Sequence, residues 1–461
     1  MRALVMSCVL ASCVLVATRA LAYPLMAPRP IPDAIAGPTD PSVAATFYNP
    51  AAIGYLRGIH FFADGGLRLG VGNIERDGNP SAAAGSQALD SFVGVTWDLA
   101  TDTITIGLAV YTPFSDFSSY ARSGPLRYAE QAQTFSTLEE TLAGAWQIER
   151  HISIGAGFIV NESWLDYQYA RDLAPAGGSP SVAMLGYENA QAQQNVRLRG
   201  FDYGFGFIVG LIARPDDHVW LGVSYTNHKA GGDLALADAQ NAEVSPAPLQ
   251  GALCGGGSCA GRDRILMPLP EMVNAGLRVT VFPTFEIEAA WRFIHYGART
   301  ALDVSLQSGE LANAGVPPQF LIDRGLQNTY LVEVSTRHLV RPTLRLSPSL
   351  TFETSAIAPD AVNAAAIDAP KLDLALTLEW AAWHKGSTTL TIGAHLGGTA
   401  YFLDHVSSRY DAHAATACVD AAYSLAACGK LNAGDALPSE SGDYYWFVIN
   451  GGISLGIHYQ P

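Results

Sequence analysis

The side chains of this chain best equipped for chemistry are its 6 cysteines and 11 histidines. Cys8 and Cys13 lie in an apolar N-terminal stretch, which leaves Cys254, Cys259, Cys418 and Cys428 as an even set. In an oxidising compartment two pairs this close in sequence make two short-loop disulfides. Zinc binding is the alternative chemistry, but the four thiols sit in Gly- and Ala-rich segments without CxxC spacing or a nearby histidine pair, so no metal is expected. The histidines are scattered, and His395 and His458 share strand faces with small and polar residues. No HExxH, phosphate-binding loop or Gly-x-Ser-x-Gly pattern occurs. Gly204, Gly206 and Gly210 hint at a dinucleotide motif, yet they lie inside a strand-like alternation. A protein that is not an enzyme and needs no cofactor is the expectation; a hydrolase assembling serine, histidine and an orienting residue from distant positions is the alternative.

Composition limits what could position such residues. Of 461 residues 49% are hydrophobic and 15% charged, yet beyond the N-terminus no apolar run reaches the roughly 20 residues of a membrane helix. Dispersed apolarity with 45 glycines and 19 tyrosines suits transmembrane strands, whose alternate residues meet lipid and lumen. A net charge of -15 without a Lys/Arg run argues against a nucleic-acid partner. Residues 1-22 read as a signal peptide, with Arg2, the apolar stretch Ala3 to Ala17 and the cleavage signal Ala20-Leu21-Ala22. Leu10-Ala11-Ser12-Cys13 offers a lipobox as the alternative.

Period-two alternation dominates the rest. In the last segment Tyr445, Phe447, Ile449, Gly451, Ile453, Leu455, Ile457 and Tyr459 share an apolar face with aromatics at both ends, as a lipid face with two aromatic girdles would. Leu390, Ile392, Ala394, Leu396 and Ala400 repeat the design, and in 285-293 the charged Glu286, Glu288 and Arg292 fall opposite Phe285, Ile287, Ala289, Trp291 and Phe293. Strands are expected near 59-70, 91-98, 103-112, 134-148, 151-168, 198-213, 218-233, 268-282, 285-297, 328-339, 343-354, 371-384, 387-405 and 443-459. The class is therefore all-β, a transmembrane antiparallel β-barrel of about 14 strands whose connections alternate strictly between short periplasmic turns and long extracellular loops. The cysteine pairs fall in those loops. Residues 23-57, rich in proline and without alternation, form either a disordered leader or a plug, and the barrel occupies 58-461.

Three motifs then match in order: Asp40 to Gly54 with Asn49-Pro50-Ala51 just before the first strand, Gly155-Ala156-Gly157-Phe158, and Leu269-Pro270-Glu271-Met272. With these the chain resembles the FadL/TodX outer-membrane transporters of long-chain fatty acids and aromatic hydrocarbons, over nearly all of the mature chain. The resemblance implies a lumen closed by an N-terminal hatch at 23-57, gated through Asn49, Pro50 and Ala51, and a third strand whose kink at Pro113 opens the wall sideways. The alternative for Pro113 is an ordinary strand end. It further implies passive uptake of a long-chain fatty acid or other hydrophobic ligand, with Arg171, Arg324 and Arg292 as candidate head-group contacts. An uncharged hydrocarbon remains the alternative substrate, and a non-specific porin or structural barrel the alternative function. A monomer surrounded by outer-membrane lipid and lipopolysaccharide is the expected assembly.

Overall fold

A strand with one continuous apolar face is stable only where that face meets a nonpolar medium and its backbone groups all find partners, which in lipid requires a closed sheet. A computed structural model shows that closure, describing residues 37-172, 188-237, 242-245, 258-296, 301-306, 311, 316, 318-409 and 440-460. The staves in chain order are β1 (Ile59–Arg76), β2 (Ala82–Trp97), β3 (Ile104–Ser119), β4 (Ala132–Glu149), β5 (Ile152–Asp172), β6 (Gln193–Ala213) and β7 (Val219–Asn227). They continue with β8 (Glu271–Phe282), β9 (Phe285–His295), β10 (Thr329–Arg341), β11 (Leu344–Glu353), β12 (Lys371–Lys385), β13 (Thr388–Tyr401) and β14 (Gly442–Tyr459). Each pairs antiparallel with its neighbours in sequence order, and β14 returns to β1 in unbroken register from Ile59↔Tyr459 to Arg76↔Gly442. The result is a closed barrel of 14 strands. Among the described residues no helix is long and apolar enough to cross a membrane.

The faces fall as the alternation requires. Ile453 is 71% exposed and Leu396 65%, while Tyr444, Trp446 and Val448 on the opposite face of β14 are buried. Exposed Trp97, Trp146, Trp380, Trp383 and Tyr459 ring the short-turn end, and Trp164, Tyr203, Tyr330 and Tyr445 the long-loop end. Charges turn inward, where they pair: Arg68 meets Asp90 at 2.6 Å, and Lys371 meets Glu353 at 3.1 Å and Asp368 at 2.7 Å.

All fourteen expected strands are present, with differences at the long-loop end. β1, β2 and β3 run further than expected, β2 beginning at Ala82 rather than near 91. The strict alternation of short and long connections is thereby corrected, because the first loop shrinks to residues 77-81. Small residues such as Ala82-Ala83-Ala84-Gly85 carry no polarity contrast, so their strand pairing with β1 left no period to read. β7, conversely, stops at Asn227, and the segment after it makes short strands (Leu234–Ala237, Ala242–Ser245, Cys259–Gly261 and Asp263–Met267) that pair above the barrel with β6 and with Ala301–Leu306.

Candidate site: the occupied lumen

Residues 37-57 run along the inner side of the wall. A short helix, α1 (Ala45–Tyr48), leads through Asn49 into a 3-10 helix, Pro50–Tyr55. Asn49 has an extended backbone, and its Oδ1 accepts from Ala51 N at 3.1 Å, capping the second helix. Pro50 occupies the first helical position, where a missing N–H costs nothing. The same Asn49 side chain donates through Nδ2 to Pro38 O at 2.8 Å and to Leu211 O of β6 at 3.1 Å. Ser153 of β5 donates to Ala51 O at 2.8 Å, and Ser224 of β7 to Tyr48 O at 2.6 Å. One motif thus satisfies its own turn and ties it to three staves.

That seat exists because two glycines face it. A Cβ on Gly210 would stand 2.0 Å from Asn49 Oδ1, and one on Gly155 2.4 Å from Ala51 N. Sequence reasoning noted both glycines for other reasons; their alternation onto the lumen face was the available signal. Across the lumen Asp40 pairs with Arg337 at 2.5 Å and Arg278 at 3.3 Å, while Glu288 accepts from Thr39 Oγ1 at 2.7 Å and pairs with Arg337 at 3.2 Å. Arg292 lies 5.4 Å from the Tyr48 ring centre and donates to Asn274 Oδ1 at 2.7 Å. It therefore packs against the inner segment, away from Arg171 and Arg324. At the short-turn end a cavity of 790 Å³ separates Asp40 and Val43 from His60, Leu344, Glu379 and His458 of the far wall.

β3 continues through Pro113 to Ser119 instead of ending there. Its register with β4 shifts between Tyr111 and Phe114, and its pairing with β2 lapses between Gln87 and Phe92. Proline brings no donor to a ladder, and hydroxyls take over: Thr112 Oγ1 accepts from Ser91 N and Ser115 Oγ from Leu89 N, each at 3.0 Å. From Tyr111 to Asp116 every residue is buried, so here the strand leaves the alternating pattern.

Beyond the bend Phe135, Leu165, Met267, Leu302, Leu326 and Ile357 surround a cavity of 30 Å³, with Arg324 and Gln133 at its edge. Arg324 donates to Ala365 O, and at 2.9 Å to Gln133 Oε1; its guanidinium lies 5.0 Å from the Tyr167 ring centre. Gln133 in turn donates to Asp116 Oδ2 at 2.5 Å. Arg171 faces the lumen four residues further along β5 than Tyr167, roughly 13 Å on, and donates to Gln194 Oε1 at 3.3 Å. Only Arg324 of the three arginines borders this cavity.

The long-loop end is capped by folded-in loops. Ile357, Val362 and Ile367 pack with Tyr444 and Trp446. Fully buried Arg76 pairs with Glu188 at 2.6 Å and Glu440 at 3.6 Å. Burial pushes the Glu440 carboxyl up to about 7 against the pull of Arg76. It pushes Glu130 up to about 7 as well, against the Arg324 charge and the hydrogen bond donated by Ser118. Cys259 is buried in its short strand. Cys254, Cys418 and Cys428, and the expected signal peptide at 1-22, lie outside the described residues.

The sequence profile of outer membrane protein transport proteins (OMPP1/FadL/TodX) matches residues 33–377. No curated protein matches the chain in sequence. Among solved structures, a Pseudomonas aeruginosa FadL homologue aligns with a TM-score of 0.71 at 14% identity, covering 96% of this chain and 99% of that one. The P. putida toluene transporter TodX aligns at 0.63 and 13% identity, covering 91% and 95%. The Ralstonia pickettii toluene transporter TbuX aligns at 0.59 and 12%, covering 92% and 98%. At these identities the likeness establishes a shared fold.

Proposed function

Since this chain belongs to the outer membrane protein transport family (OMPP1/FadL/TodX) and so is an outer-membrane transporter of hydrophobic compounds, we propose that it takes up long-chain fatty acids or similarly apolar molecules passively, aromatic hydrocarbons being the alternative cargo. The observation that carries this reading is an apolar cavity beside Arg324 in a lumen occupied below it by residues 37-57. Ligand is captured among the loops and enters between the apolar side chains that surround this 30 Å³ space, which part to admit it, and is held mainly by buried hydrocarbon, about 0.8 kcal/mol per CH₂. Residues 23-57 act as the hatch, released through Asn49-Pro50-Ala51, and the bend at Pro113, where backbone pairing with β2 lapses, is the lateral exit. The chain works as a monomer in outer-membrane lipid and lipopolysaccharide, is exported by its signal peptide, and has no catalytic role. Short turns face the periplasm, as in other outer-membrane barrels, and two disulfides, Cys254 with Cys259 and Cys418 with Cys428, brace the loops.

Uptake of labelled oleate and toluene, in cells lacking their own transporter, tests the proposal. The intact chain is expected to import at least one compound, and the variant Asn49→Gly/Pro50→Gly/Ala51→Gly to differ from it. Background uptake of both compounds by the intact chain would refute the cargo reading. Large steady currents through the intact barrel in planar bilayers would instead favour a non-specific porin.

A further inference from the structure

At the edge of the apolar cavity Arg324 and Asp116 stand on either side of a single amide, that of Gln133. Gln133 lies on β4 opposite Ser118 of β3 and Tyr167 of β5, which brings its side chain between the arginine and the bent end of β3. An arginine only donates, so the amide oxygen must face it, and Arg324 donates to Gln133 Oε1 at 2.9 Å. That orientation turns Nε2 the other way, where it donates to Asp116 Oδ2 at 2.5 Å. The order is the same whether or not Asp116 carries a proton, because a carboxyl oxygen accepts in either form. Asp116 Oδ1 is buried and has no hydrogen-bond partner among the described residues. Arg324 is held by Gln133, by the Ala365 carbonyl and by the Tyr167 ring at 5.0 Å, none of which is an anion. Glu130, the other carboxylate whose field reaches this arginine, is engaged by the Ser118 hydroxyl.

Without the amide the balance reverses. Arg324 loses an acceptor and Asp116 a donor, and each buried group left bare costs about 1–3 kcal/mol. Both losses vanish if the two meet directly, and Asp116 Oδ1 stands ready for that contact; the two groups already act on each other across the amide. An Arg324 drawn onto Asp116 has left the cavity with its charge neutralised. We propose that Gln133 is a positioning residue for acidic cargo: it holds Arg324 at the cavity and off Asp116, and so decides whether a carboxylate is accepted there or uncharged hydrocarbon alone. This rests on the transport reading, with Arg324 as the head-group contact. A carboxylate that enters between the apolar side chains meets a guanidinium already fixed in place and gains a charge-assisted bond, of which a hydrocarbon makes no use.

Equilibrium dialysis of labelled decanoate and decane against the full-length barrel in detergent, with detergent-only blanks, tests it. In Gln133→Met, which keeps the side chain's length without its amide, the decanoate-to-decane affinity ratio is expected to fall about tenfold, the loss of one charged hydrogen bond. Adding Asp116→Asn removes the competitor for Arg324, and the ratio in Gln133→Met/Asp116→Asn is expected to recover to within about threefold of wild type. A side chain that mattered for packing alone would not be rescued in this way. An unchanged ratio in Gln133→Met overturns the proposal, as does a fall that Asp116→Asn does not reverse. Wild-type binding of decane without decanoate also overturns it and leaves transport of uncharged cargo standing, whereas binding of neither compound overturns the transport reading itself. If Gln133→Met does not fold, judged by loss of heat-modifiable migration, Gln133→Glu decides. Its carboxylate pairs with Arg324, so the ratio must again fall about tenfold, and an unchanged ratio overturns the proposal.

Discussion

Substituting Gly210 by alanine puts a methyl group where Asn49 now sits. The new Cβ would lie 2.0 Å from Asn49 Oδ1, a separation no pair of nonbonded heavy atoms tolerates, so the carboxamide must leave its place. It then gives up its bonds to Pro38 O, Leu211 O and Ala51 N, at 2.8, 3.1 and 3.1 Å. At about 1 kcal/mol net for each buried bond the seated segment 37-57, the proposed hatch, loses about 3 kcal/mol. With 1.4 kcal/mol per tenfold, the ratio of displaced to seated hatch rises on the order of 100-fold. Single-channel recording in planar bilayers reads this directly, as openings absent or rare in the parent that become frequent in Gly210→Ala. Gly144→Ala is the control, because its Cβ meets nothing within 4 Å. If Gly210→Ala is as silent as Gly144→Ala while still showing heat-modifiable migration, the glycine seat does not hold the hatch and the reasoning is wrong.

Other perturbations reach different parts of the lumen. Asp40→Asn removes the carboxylate between Arg278 and Arg337 and leaves them Glu286 and Glu288; losing one charged partner from this buried network should cost about 2 kcal/mol, seen as a lower heat-modifiability midpoint, and an unchanged midpoint would show that the two glutamates suffice. Lys371→Met removes the cation that Glu353 and Asp368 share and should expose loop 354-370 to faster hydrogen exchange; unchanged exchange there would count against that loop's anchoring at Lys371. Glu130 and Glu440, both raised to about 7, bind protons in the folded cap that an unfolded chain would release near its ordinary carboxyl value. Their contribution is present below about 4.5 and lost as pH rises through about 7. Hydrogen exchange at 120-131 and 440-444 should therefore slow, beyond the intrinsic pH effect, on going from pH 8 to 6, and Glu440→Gln should remove part of that change; equal corrected protection at both pH values would contradict it.

Much of the architecture was legible because its code is local. Strand faces follow from a period of two, and the demand that a lipid-exposed backbone be fully paired turns a run of such strands into a barrel. Tyr445 to Tyr459 therefore declared its lipid face without reference to any partner. Asn49-Pro50 is similarly self-contained, since the cap to Ala51 N spans two residues. Where polarity contrast fades, as in Ala82 to Gln87, or where short strands pair only above the barrel, as in 234-267, the same logic had nothing to read.

The lumen is another matter, and there the three-dimensional closure decides. Asn49 meets Leu211 across 162 positions and Asp40 meets Arg337 across 297. Whether a glycine is a seat or a mere lining residue, and whether Arg324 rather than Arg171 or Arg292 borders the apolar cavity, depends on barrel register and on the path of residues 37-57 between the walls. No periodicity encodes either. The sequence by itself determined the staves, their faces and the class of medium around them, because each is set by a residue and its near neighbours. Only the tertiary structure decided which inward side chains meet, because those contacts exist only once the last strand has paired with the first and residues 37-57 have entered the space they enclose.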